Sequence, residues 1–74
     1  MPIKFSQHAK QQLKRRRISQ KLAINTVRNP GEIVKSYKRR KLRRVVSGGK
    51  ILQIITVTEG SKITVVSGYY LRRK

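Results

Sequence analysis

At 74 residues the chain is expected to form one small domain, and a domain of that size buries only about 60% of its unfolded surface, which leaves a thin stability margin. Lys and Arg total 20 against two acids, Glu32 and Glu59, giving a net charge of +18. There is no Cys and His8 is the only histidine, so disulfides and thiolate metal centres are excluded, and a metal site or a paired-carboxylate mechanism lacks its ligands unless the two glutamates meet.

In chain order, Ile3-Lys4-Phe5 reads as a short β-like entry. Ser6 suits an N-cap, and Gln7 to Arg17 has helix-forming composition with Ala9 and Leu13 marking one narrow apolar stripe. Ser19 suits a second N-cap, with Ile18 before it as a hydrophobic staple. Leu22, Ala23, Ile24 and Val27 form a wider apolar face on that second helix. Asn29-Pro30-Gly31 ends it, because proline disfavours helix at Asn29 and Pro-Gly suits a type II turn.

From there the apolar period becomes two. Strands are expected over Ile33 to Tyr37, Leu42 to Ser47, Ile51 to Glu59 and Ile63 to Tyr70. A basic turn around Lys38, Arg39 and Arg40 joins the first two, Gly48-Gly49 is a two-residue hairpin signal, and Gly60-Ser61 turns the chain again. Pairing Ser47 with Lys50 and Glu59 with Lys62 groups Leu42, Val46, Ile51, Ile55, Val57 and Val66, with Tyr70, on one face. That clean apolar face is expected to receive the helices. Lys41, Arg43, Val45, Leu52, Ile54, Thr56, Thr58, Ile63, Val65, Ser67 and Tyr69 would then form an open face, with Arg44 pointing to the helices. Five aliphatics on an open face imply a cover, by a partner or by a second copy in a homodimer, or else a groove. The expected fold is α+β: two N-terminal helices within 1–31 on one face of a three- to four-stranded antiparallel sheet over 32–70, then a basic tail, 71–74.

Charge of this density repels itself, and a polyanion relieves that repulsion. Nucleic acid is the first expected partner and an acidic protein the second. Residues 35–44, KSYKRRKLRR, hold seven of the cations without an acid and lead directly into strand-like sequence, so the fold must carry them. Arg16, Lys38, Arg39, Arg40, Lys41 and Arg43 are the candidate nucleic-acid ligands, against the plainer reading of a solvated basic face. No apolar run reaches the ~18 residues of a membrane span, and MPIKFSQHAK lacks the apolar core of a signal peptide, so a cytoplasmic protein is expected. No cofactor is expected. Metal-free RNA cleavage needs a group to take the 2′-OH proton, a cation to stabilise the phosphate and an acid for the leaving oxygen. His8, Arg43 and Tyr69 are the candidates for those roles. Each has a plainer alternative: a solvated or capping histidine, a solvated arginine, and a tyrosine at the edge of the core.

Ser6-Gln7-His8-Ala9, then Leu13, Arg16 and Ile18, then Asn29-Pro30-Gly31-Glu32-Ile33-Val34, a basic hairpin and Val65-Val66-Ser67-Gly68-Tyr69 resemble a family of short bacterial proteins, domain of unknown function 4258. The resemblance covers nearly the whole chain. His8 and Arg16 match its first-helix pattern and Tyr69 its terminal-strand aromatic. Gln12 stands where the family usually has Arg, Arg15 where an acid is common, and Arg17 where Gly is common. The missing Arg at position 12 weakens a catalytic triad on this helix. The family is similar in layout to the RelE/ParE-like toxins, many of which are metal-independent ribonucleases neutralised by an acidic antitoxin. The resemblance thus implies a toxin-like protein acting on RNA, with a non-catalytic nucleic-acid-binding or protein-interaction module as the alternative.

Overall fold

A computed structural model of the protein describes residues 2–35 and 39–72. Ser6 and Ser19 cap their helices as the sequence implies: Ser6 Oγ accepts from the Ala9 amide and Ser19 Oγ from the Leu22 amide, each at 3.0 Å. These bonds satisfy amides that a helix start leaves without partners. Helix α1 spans Gln7–Arg15 and buries Ala9 and Leu13; helix α2 spans Gln20–Arg28 and buries Ala23, Thr26 and Val27. α1 stops at the C-cap Arg16 because Arg17 turns left-handed at φ 57°. The Ile18 amide then returns to the Leu13 carbonyl at 2.9 Å and the Arg17 amide to the Lys14 carbonyl at 3.2 Å. This is the bond pair of a Schellman ending, in which the left-handed position favours glycine. Replacing Arg17 by Gly should therefore stabilise the protein by about 0.5–1 kcal/mol, read as a raised thermal midpoint.

Five strands follow the order β1-β5-β4-β3-β2 in one mixed sheet, larger than the antiparallel sheet of three or four strands expected from the sequence. They are β1 (Ile3–Phe5), β2 (Glu32–Lys35), β3 (Arg40–Ser47), β4 (Lys50–Glu59) and β5 (Lys62–Arg72). β1 supplies the difference, pairing parallel to β5 with Ile3 opposite Ile63 and Phe5 opposite Val65. Three residues are too few to display a period, and the partner lies at the far end of the chain. β5 also runs on through Leu71 and Arg72, paired with Ile51 and Lys50, where the sheet was expected to end at Tyr70 and a basic tail to follow. Gly31 is not left-handed, so Pro30-Gly31 makes no type II turn; instead the Gly31 amide bonds the Arg44 carbonyl at 2.8 Å and leads into β2. The β3–β4 hairpin turns at Gly48 and Gly49, both at positive φ (56° and 80°), as a type I′ turn requires.

The β3–β4 register is the expected one, with Ser47 opposite Lys50 and Leu42 opposite Ile55. The choice of face is reversed. The helices lie on Leu52, Ile54, Ile63 and Val65, each at most 5% exposed, while Val46 on the other face is 57% exposed. The mixed face can serve as core because Arg43 and Thr56 find partners there: the Thr56 hydroxyl donates to the Lys41 carbonyl and accepts from Arg43. Each fully buried Leu, Ile or Val there contributes about 1.5–3 kcal/mol.

A register shift between Ile55 and Thr56 adds a second correction. Beyond it Tyr69 lies opposite Gln53 and Tyr70 opposite Leu52, one residue away from the simple hairpin count. Tyr69 consequently stays on the face away from the helices and Tyr70 on the helix side, packed against the core. Gly68 falls beneath α1. A Cβ there would stand 2.7 Å from Leu13 Cδ2 and 2.9 Å from Ile54 Cδ1, two side chains with no room to move. Gly68→Ala should cost about 1–3 kcal/mol by overpacking, measured by chemical denaturation.

Candidate nucleic-acid interface

The face reversal moves Arg43 from the open side to the helix side. It is 9% exposed, and its Nη1 donates to the Val27 carbonyl at 2.9 Å while Nε donates to Thr56 Oγ1 at 3.2 Å. Val27 is in the last turn of α2, where carbonyls lack intrahelical partners and a cation opposes the helix dipole. Arg43 thereby clamps the end of α2 to the sheet.

Beside this clamp lies a cleft of about 500 Å³. Ile3, Val27 and Ile63 give it an apolar floor, and Arg28, Lys41, Arg43 and Thr58 supply its polar lining. A neighbouring hollow of about 300 Å³ is lined by Lys35, Arg39, Arg40, Lys41 and Thr58. The two share Lys41 and Thr58, so six cations and no acid line the pair, at the end of the sheet where β4 closes in Glu59. The Thr58 hydroxyl is closed off from solvent and has no hydrogen-bond partner among the described residues.

The face away from the helices carries a different arrangement. Glu32, Arg44, Gln53 and Tyr69 are successive cross-strand neighbours from β2 to β5. Their side chains join in a chain: Arg44 Nη1 meets Glu32 Oε1 at 3.3 Å, Arg44 Nε donates to Gln53 Oε1 at 2.6 Å, and Gln53 Nε2 donates to the Tyr69 hydroxyl at 2.5 Å. Arg16, just past α1, donates to the Gly68 carbonyl at 3.3 Å and stands 5.8 Å from the Tyr69 ring centre. Arg44 is therefore the arginine on the face of Tyr69, and Arg43 is not, the reverse of the expected placement.

Of the residues singled out from sequence, Arg39, Arg40, Lys41 and Arg43 gather around the two hollows, while Arg16 lies at the β5 edge. Lys38 lies outside the described residues. His8 is exposed on the first turn of α1, Arg43 is under α2, and Tyr69 is on the opposite sheet face, so these three do not converge. Arg28, Lys35 and Thr58 join the cleft without having been expected there. Lys35 had a signal: it opens the basic stretch KSYKRRKLRR, and the structure pairs it with Lys41. Arg28 is the last residue before the Asn-Pro break and so projects from the helix end. Thr58 had none, since an unpaired hydroxyl is a property of packing.

The model of one protein family, domain of unknown function DUF4258, matches residues 5–70. A search of curated proteins and one of solved structures each found no match. The matched segment holds both helices, strands β2 to β4, and β5 up to Tyr70, so it contains the clamp and nearly all of the cleft lining. The chain belongs to the DUF4258 family.

Proposed function

We propose that this protein binds RNA through the basic end of its sheet, as a toxin-like protein without a bound metal or cofactor. The observation that carries the reading is the convergence of six cations and no acid on the paired hollows, in a chain of net charge +18. Phosphates neutralised there release counterions, which gives affinity without reading sequence. The resemblance to RelE/ParE-like toxins implies two helices on a small antiparallel sheet, and the two helices on one sheet face support the toxin-like reading in outline only, since the parallel β1 makes this sheet a mixed one. Binding is favoured over cleavage because acid–base chemistry needs its groups within reach of one phosphodiester, whereas His8, Arg43 and Tyr69 stand on three separate parts of the fold. An acidic partner protein is the natural antagonist of such a surface, and the half-exposed aliphatics around Val46 give it an apolar seat.

The test is a titration of labelled single-stranded RNA at rising salt in chelator, with the RNA then run on a denaturing gel. If six phosphates are neutralised, log affinity should fall against log salt with a slope of about −4, and the RNA should stay intact. A flat salt response refutes the reading, and cut RNA replaces binding by cleavage.

A further inference from the structure

We infer that the cleft around Thr58 seats one nucleotide of single-stranded RNA, its phosphate meeting the Thr58 hydroxyl and the surrounding cations and its base or ribose lying on Ile3, Val27 and Ile63. The inference rests on the RNA-binding reading and assigns the seat within it. Native interiors pair their buried polar atoms, and an exception calls for a missing partner. Thr58 Oγ1 is such an exception. A hydroxyl can donate or accept, and what surrounds this one decides between the two. Arg28, Lys41 and Arg43 on one side and Lys35, Arg39 and Arg40 on the other favour an anionic oxygen as the acceptor.

The rest of the cleft fits a nucleotide better than a bare anion. Its volume of about 500 Å³ lies in the range of small-ligand sites. Three aliphatic side chains on the floor would be idle beneath inorganic phosphate but offer a dry surface to a base or ribose. A duplex cannot place a base in such a cleft without flipping it out, whereas single-stranded RNA presents its bases unpaired. Arg43 is already held by the Val27 carbonyl and Thr56, so its charge needs no ordering when the phosphate arrives. The Thr58 hydroxyl is closed off in the unliganded protein, so the incoming phosphate must draw neighbouring side chains aside. Lys41 and the exposed Arg28 have long, flexible stems that allow this.

Thr58→Val separates this role from a structural one, because the two effects have opposite signs. Removing a buried hydroxyl that lacks a partner should raise the thermal midpoint. Removing a donor to phosphate should weaken binding of a short single-stranded RNA about tenfold. A higher midpoint together with weaker RNA binding supports the seat. An unchanged affinity, with RNA still bound by other cations, overturns the seat and leaves RNA binding standing. No salt-sensitive RNA binding by the wild-type chain overturns both. A duplex of the same length bound as tightly as the single strand, and weakened equally by the substitution, overturns the assignment to an unpaired nucleotide.

Discussion

Arg43→Ala should lower the unfolding free energy by about 2–3 kcal/mol, seen as an earlier urea midpoint with an unchanged slope. The side chain is 9% exposed and donates to two acceptors, the Val27 carbonyl and Thr56 Oγ1. Hydrogen bonds from a charged donor contribute about 1.5–3 kcal/mol each, and truncation leaves both acceptors without it as well as opening space under α2. Relief of repulsion in a chain of net charge +18 offsets part of the loss. A protein of 74 residues has only about 4–11 kcal/mol in total, so one side chain holds a large share. An unchanged midpoint would remove the clamp from the account of the fold. The same effect changes how nuclease tests must be read: activity lost in Arg43→Ala would report a loosened α2 as readily as a missing catalytic group. Arg44 and Tyr69, on the opposite sheet face, can be varied without touching that clamp.

Substituting Arg39, Arg40 and Lys41 together by Gln should weaken binding of single-stranded RNA about 10²–10³-fold at low salt and make the salt slope shallower by about 2, as expected for three lost phosphate contacts. All three line the hollow that adjoins the Thr58 cleft. Arg39 and Arg40 are exposed, and what Thr56 binds at Lys41 is the main-chain carbonyl, which the substitution leaves in place. The thermal midpoint should therefore hold or rise as like charges are removed. Affinity and slope measured across a salt series decide the matter. A slope as steep as that of the wild type would mean that the RNA lies elsewhere, with the cations of α1 as the next surface to vary.

The local elements were legible in the sequence because short-range chemistry sets them. Ser6 and Ser19 cap helices wherever the chain goes next, Gly48-Gly49 makes the same hairpin in any sheet, and the Ser47–Lys50 register follows from that turn. Two helices, a strand-rich second half, a strongly basic β2–β3 region and membership of the DUF4258 family could all be read before any contact was known.

What the tertiary structure alone decided was which side of the sheet meets the helices. Strand β4 carries aliphatics at both parities, Ile51 and Ile55 on one side and Leu52 and Ile54 on the other, so its alternation could not choose. Arg43 and Thr56 made the true core face look like a surface, until the end of α2 and the Lys41 carbonyl supplied their partners. The bulge near Ile55 then shifted the far end of β5 by one residue; Gly68, isolated in a strand, was its local trace. Burial and partnership are properties of pairs of residues distant in the chain. For that reason the amount of charge could be counted from the sequence, while its convergence on Thr58 needed the fold.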